Sequence, residues 1–142
     1  MKIQRTVATS APPERVFAYL SDFTNTTEWD PGTVQTERIS GGGGVGTRYH
    51  NVSKFLGRKT DLEYTVIEHT APGLFRLKGV NKSVEATDTM RITAAGTGSE
   101  VTYTAEFDFK GVAKYAAPLF KPALTKLGND AEKGLKSALA DL

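Results

Sequence analysis

Asp88 has the clearest chemical potential in this sequence, because it interrupts an alternating run of apolar residues. In a β-strand, residues two apart lie on one face. The residues of the same parity are Val84, Ala86, Met90 and Ile92. If that face is buried, the carboxyl group is aimed into the interior, where burial raises its pKa and suits it to general acid or base catalysis. Asp88 is therefore the candidate catalytic residue. The structural alternative is a bulge that turns it outward, or an ion pair with Arg48 or Arg76.

A second group of side chains could orient a bound molecule. Tyr49, Asn51 and Ser53 alternate along one predicted strand, and Tyr64 and Tyr103 lie on two others. Facing inward, their hydroxyl and amide groups would supply the few convergent polar groups typical of a ligand pocket. Ordinary packing of half-buried tyrosines is the alternative.

Apolar residues form the rest of the candidate ligand-binding set. Trp29 could stack on a ligand at a cavity mouth, or it could anchor short helices to the sheet edge. The other apolar candidates are Phe23, Phe75, Leu77, Met90, Phe107, Leu119, Phe120, Ala123 and Leu127. A domain of this size also needs a solid core, so we expect some of them to have no contact with a ligand.

Several kinds of site are excluded or disfavoured by what the sequence lacks. There is no cysteine, which excludes disulfides, thiolate metal sites and cysteine nucleophiles. The two histidines, His50 and His69, have no ligand partner at helical spacing, and we expect both on the surface. Gly41–Gly44 is not followed by Lys and a helix, so it is interpreted as a loop and not as a phosphate cradle. We therefore expect neither a metal nor a cofactor.

Composition indicates one globular domain that spans residues 1–142. Hydrophobic residues make up 39% of the chain, and the net charge of +2 is too small to favour nucleic acid binding. The first residues lack a signal-peptide core, and no apolar stretch is long enough to cross a membrane. We therefore expect a cytoplasmic protein with no integral membrane association, and leave open a homodimer.

Hydrophobic periodicity predicts a meander of strands followed by a long helix. The predicted strands are Lys2–Thr9, Thr33–Ser40, Val45–Phe55, Lys59–His69, Leu74–Gly79, Ser83–Ala94 and Glu100–Phe109. Two short helices are expected between the first two strands, the first from Pro12-Pro13-Glu14 onward and the second over Asp22–Trp29.

A helix of about 28 residues is predicted after Gly111. Its expected apolar stripe is Val112, Ala116, Leu119, Ala123, Leu127, Ala131, Leu135 and Ala138. Pro118 and Pro122 predict a kink or a late start. A sheet with one apolar face must be covered, and this is the only element long enough to cover it.

Together these features resemble the START-like (SRPBCC) helix-grip superfamily, which includes the polyketide cyclase/dehydrase and lipid-transport group. The similar segments are Ala11–Leu20, Glu28–Gly32, Gly44–Tyr49 and Gly98–Tyr103, with the terminal helix completing the match. The resemblance implies an α+β fold, with a curved antiparallel sheet of about seven strands around a long C-terminal helix. It also implies a hydrophobic cavity between the two.

Three functions follow as hypotheses. The first is binding of a small hydrophobic or aromatic molecule, lipid or polyketide-like, with access beside the proline-bearing start of the terminal helix. The second is a polyketide cyclase or dehydratase that uses the same cavity, with Asp88 or a tyrosine for proton transfer. The third is an interaction module. Such a module would bind a partner protein or a membrane through a lysine face, formed by Lys114, Lys121, Lys126, Lys133 and Lys136.

Overall fold

The computed structural model describes residues 1–142 and has the α+β helix-grip architecture. Its strands are β1 Lys2–Thr9, β2 Thr33–Ser40, β3 Arg48–Phe55, β4 Arg58–Thr70, β5 Leu74–Val80, β6 Val84–Ala95 and β7 Gly98–Phe109. Its helices are α1 Pro13–Leu20, α2 Thr26–Trp29, α3 Ala113–Ala116 and α4 Lys121–Ala140, with 3₁₀ turns at Phe23–Asn25 and Ala117–Phe120.

The seven strands form one antiparallel sheet in the order β1-β7-β6-β5-β4-β3-β2. Strands β2 to β7 follow one another as hairpins, as the short turn segments predicted. The first strand instead pairs with the last, so β1 and β2 are the two edge strands. The segment with α1 and α2 therefore carries the chain from one edge of the sheet to the other, and it lies beside the concave face.

Strict alternation along the central strands gives the sheet one buried face. In β6, Val84, Ala86, Asp88, Met90 and Ile92 are all buried, whereas the residues between them are half-buried or exposed. Burying one face of a sheet fixes its register, because a slip of one residue would turn every side chain to the other face. Asp88 therefore points inward, as its parity predicted.

The terminal helical segment spans 28 residues, but it is divided into α3, a 3₁₀ turn and α4. Pro118 lies at the start of the 3₁₀ turn and Pro122 at the start of α4. The N–H groups of a first turn have no helical partner, so proline costs no hydrogen bond there. The expected late start is confirmed: the long α-helix begins at Lys121.

The buried side of α4 differs from the predicted stripe at its beginning. Its buried residues are Leu124, Gly128, Ala131, Leu135 and Leu139. Val112 and Leu119 are exposed, because the 3₁₀ turn changes the angular step and breaks the 3.6-residue period across it. The expectation that these two residues lie on the packed stripe was wrong.

Two glycines let α4 approach its neighbours closely. A Cβ atom at Gly128 would collide with Ile3 on β1, and one at Gly134 would collide with the backbone of Trp29. Gly128, which weakens the helix locally, thus lets it lie against the sheet edge. None of the helices has both the length and the apolar character needed to cross a bilayer.

Candidate functional site

A cavity of about 100 Å³ lies between the sheet, the α2 region and α4. Its apolar lining residues are Phe23, Trp29, Phe55, Leu62, Tyr64, Val84, Tyr103, Phe107, Phe109, Leu124 and Leu127. Its polar lining residues are Thr26, Asp30, Thr33, Asn51, Ser53, Lys54, Thr60 and Asp88. The lining is therefore mostly apolar with a minority of polar groups, which is the usual composition of a small-molecule site.

Asp88 is the central polar group of the cavity. It is 6% exposed, and its Oδ2 atom accepts a hydrogen bond from the Tyr103 hydroxyl at 3.5 Å. The proposed arginine partners are engaged elsewhere, since Arg48 pairs with Glu63 and Arg76 with Glu68. Burial, and then repulsion from Asp30, raise the pKa of Asp88 to about 7, against the opposing effect of the Tyr103 hydrogen bond. The side chain can thus gain or lose a proton near neutral pH.

Asp30 is a second cavity carboxylate that the sequence analysis did not select. It follows α2, and its oxygens accept hydrogen bonds from the Gly32 N–H and the Thr33 hydroxyl, each at 3.0 Å. Burial raises its pKa in spite of these two bonds, with a smaller contribution from Asp130. An Asp after a short helix and before Pro-Gly signals a turn. Its closeness to Asp88 depends on long-range packing that no local pattern encodes.

Two tyrosines place hydroxyl groups in the same cavity. Burial, and then the nearby Asp88, raise the pKa of both Tyr64 and Tyr103 well above the usual range, so both phenols stay protonated and can donate hydrogen bonds. Tyr64 Oη has no hydrogen-bond partner within the protein, and it is not sealed off from the cavity space. The Trp29 indole packs against Tyr103, with ring centroids 5.4 Å apart.

A buried hydrogen-bond network forms another part of the cavity wall. Thr36 Oγ1 is 2.6 Å from Thr26 Oγ1 and accepts a bond from Asn51 Nδ2 at 2.9 Å. Asn51 Oδ1 in turn accepts a bond from the Ser53 hydroxyl at 2.8 Å. Thr26, in α2, is thereby connected to β2 and β3. The network fixes the orientation of the Asn51 amide, which is buried among the groups that line the cavity.

Four of the predicted ligand-binding residues lie in the solid core, outside the cavity: Tyr49, Phe75, Leu77 and Met90. The physical reason is the position of α1, which fills one end of the concave face. Phe17 of α1 packs edge-on against Phe75, with ring centroids 6.4 Å apart. Tyr49 packs against Phe23 at 5.6 Å. The alternation of side chains along each strand correctly placed these residues on the inner face of the sheet. It does not show which end of that face is left uncovered to form the cavity.

The predicted residues from the terminal segment are spread between the cavity and the surface. Leu127 lines the cavity, and Ala123 borders a shallow groove outside it. Phe120 packs on Phe55 and Phe109, with centroid distances of 5.6 and 5.1 Å, so it covers two lining residues from outside. Leu119 is 79% exposed and touches neither space, because the 3₁₀ turn rotates it to solvent.

The two histidines of the chain lie outside the cavity lining. His50 and His69 are both exposed, as expected, although His69 also packs edge-on against Phe17 at 5.0 Å. No group of three or more His, Asp or Glu side chains is close enough to hold a metal ion. Lys54 is the only basic residue in the cavity lining, and its side chain lies at the exposed rim.

Comparison with known proteins identifies the family. The model of a family described as polyketide cyclase/dehydrase and lipid transport matches residues 1–141. The chain therefore belongs to this family. A search of curated proteins finds no match.

Solved structures with low sequence identity share the fold of this chain. The protein TTHA0849 from Thermus thermophilus is 17% identical with a TM-score of 0.82, and the match covers 98% of this chain and 97% of that one. The Zhui aromatase/cyclase from Streptomyces sp. R1128 is 12% identical with a TM-score of 0.83, with 98% and 93% covered. A STAR-related lipid transfer protein from Xanthomonas axonopodis is 16% identical with a TM-score of 0.76, with 97% and 85% covered.

Proposed function

We propose that this protein binds a small, largely apolar molecule, aromatic or lipid-like, in the cavity between the sheet and α4. The observation that carries the proposal is the cavity itself: an apolar space of about 100 Å³ with Asp88 and two tyrosine hydroxyls in its wall. The family description, which includes lipid transport, supports the same conclusion.

The size of the cavity limits what it can enclose. Pockets for drug-sized ligands have volumes of roughly 300–1,000 Å³, whereas an apolar cavity of about 150 Å³ holds benzene. At about 100 Å³ the cavity is smaller than both, so it encloses one small ring or a short branched chain only after its wall moves outward. Lys54, Phe55 and Leu127 line both the cavity and the adjoining surface groove. A longer ligand would place one end inside and the remainder along this groove, once Phe120 moves off Phe55.

The first test is to identify what the protein carries and where. Native mass spectrometry of freshly purified protein, followed by solvent extraction, would show any retained molecule. Binding is then measured with the neutral fluorescent probe N-phenyl-1-naphthylamine, whose phenyl ring would enter the cavity while its naphthyl ring lies along the groove. Val84→Phe fills the cavity, and Val80→Phe makes the same change at an exposed site outside it. We expect Val84→Phe to weaken probe binding about tenfold and Val80→Phe to leave it unchanged. Equal binding by both variants would contradict the cavity as the site.

A second candidate function is catalysis of a cyclisation or dehydration in the same cavity, and the environment of Asp88 favours it. The Asp88 carboxylate would take a proton from a carbon between two carbonyl groups, and the Tyr64 and Tyr103 hydroxyls would donate hydrogen bonds to the enolate oxygen. The enolate carbon would then bond to a second carbonyl carbon, whose oxygen would receive the proton back from Asp88. No external oxidant or reductant is required.

Asp88→Asn separates the two functions. The amide has nearly the same size as the carboxyl group, but it cannot accept and return a proton. If the protein is an enzyme of this kind, turnover of a poly-β-ketone substrate falls by roughly 10²- to 10⁴-fold while probe binding persists. Unchanged turnover in the variant would exclude Asp88 as the proton carrier, and binding would remain as the function.

A further inference from the structure

Beside the cavity mouth, two neighbouring segments expose an unusual set of apolar side chains. One is the turn between β3 and β4, where Leu56 is 60% exposed, and the other is the helical segment after β7. In the latter, Val112, Tyr115 and Leu119 are 89%, 85% and 79% exposed. Single exposed apolar residues are common, but a cluster of large ones marks an interaction surface.

The two segments are held together by aromatic packing. Phe55, next to Leu56, has its ring centroid 5.6 Å from that of Phe120, next to Leu119. Val112, Tyr115 and Leu119 lie within eight consecutive residues of this segment, and all three side chains are exposed to solvent. We call Leu56, Val112, Tyr115 and Leu119 the apolar tip.

The surroundings of the apolar tip are predominantly basic. Residues 54–59 contain three basic side chains, residues 110–126 contain four, and neither segment contains an acidic one. These seven residues are Lys54, Arg58, Lys59, Lys110, Lys114, Lys121 and Lys126, and all are exposed. Only Lys126 forms an ion pair, with Asp130. Such a strongly positive surface, with almost none of its charge neutralised within the protein, is complementary to an anionic partner.

We propose that the apolar tip and its basic rim dock this protein on the surface of a membrane that contains anionic lipid. Exposed apolar side chains insert at the headgroup level while lysine and arginine attract anionic headgroups, which is the pairing that peripheral membrane binding requires. The docked orientation places the mouth of the cavity at the lipid surface.

The experiment is cosedimentation of the full chain with vesicles of phosphatidylcholine alone and of phosphatidylcholine mixed with phosphatidylserine. We expect binding to the mixed vesicles, weak binding to the neutral ones, and loss of binding at high salt. Leu119→Glu and Tyr115→Glu should each weaken binding about tenfold or more. Val45→Glu is the matched control, because Val45 is 68% exposed but lies at the opposite end of β3.

The charge contribution is tested with a second matched pair. Replacing Lys114 and Lys121 by glutamine should weaken binding to mixed vesicles, whereas the same change at Lys133 and Lys136, farther along α4, should have a smaller effect. Thermal unfolding of each variant checks that the fold is intact. Equal effects at the tip and at the control sites would overturn the proposal. So would a wild-type protein that ignores both kinds of vesicle but binds poly-L-glutamate, which would indicate an acidic protein partner instead.

Discussion

The ring of Tyr64 lies directly on Gly79, its partner on the neighbouring strand β5. A Cβ atom added at Gly79 would come within 2.7 Å of the ring. The absence of a side chain at this one position therefore gives Tyr64 the room to hold its hydroxyl in the cavity. The wall of the site depends on a residue that has no side chain and does not itself line the cavity.

Gly79→Ala should therefore change both stability and binding. The added methyl group must displace the Tyr64 ring, and overpacking of this kind costs about 1–3 kcal/mol of unfolding free energy. Gly42→Ala is the matched control, because no atom lies within 4 Å of a Cβ at that position. We expect urea denaturation to show a change of less than about 0.5 kcal/mol for the control. Similar losses in both variants would contradict the role of the Tyr64 contact.

The pKa of Asp88 predicts how stability depends on pH. Its folded-state pKa of about 7 lies above the ordinary value of 3.8. The folded state therefore favours the protonated form, and the unfolding free energy falls as the pH rises from about 4 through about 7. The full difference corresponds to at most about 4 kcal/mol. Asp88→Asn removes this dependence, so the variant should gain stability relative to wild type at about pH 8 but not at about pH 4. Parallel curves for the two proteins would contradict the shift.

Two tyrosine substitutions distinguish a direct hydrogen bond from mere proximity. The Tyr103 hydroxyl stabilises the Asp88 carboxylate by donating a hydrogen bond to it. Tyr103→Phe removes this donor, so the pKa of Asp88 should rise further. Tyr64→Phe removes a hydroxyl that makes no bond to Asp88, and the shift should be smaller. Carbon-detected NMR titration of the Asp88 carboxyl group measures both. A larger upward shift in Tyr64→Phe would show that the assigned hydrogen bond is wrong.

The hydrogen-bond network around Thr36 makes a prediction about stability. Thr36→Val removes the oxygen shared by Thr26 and Asn51, and leaves the Asn51 amide donor without its buried partner. Leaving a buried polar group unsatisfied costs about 1–3 kcal/mol. Ser53→Ala removes only the outer end of the network, next to the cavity, and should cost less. Chemical denaturation measures the loss of unfolding free energy in each variant, and a greater loss in Ser53→Ala than in Thr36→Val would contradict the prediction.

Most of the architecture was predictable because it depends on local periodicity. Strands β1 and β2 begin and end at the predicted residues, and the others differ by one to three residues. The last strand shows why: Val101, Tyr103 and Ala105 are buried, whereas Glu106 and Asp108, on either side of Phe107, are exposed. The inward orientation of Asp88 follows from the same rule, since the period of two is a property of the extended chain.

The sequence by itself determined which side chains of the strands face inward, where the turns lie and that a long helix, kinked or starting late, must cover the sheet. The tertiary structure alone decided which part of the inner face stays open. α1 closes one end around Phe75, and the cavity remains at the other end beside Asp88. It also brought Asp30 close enough to Asp88 to raise its pKa. Periodicity is set by neighbouring residues, whereas a cavity is space left between elements distant in the chain, and no local pattern specifies that space.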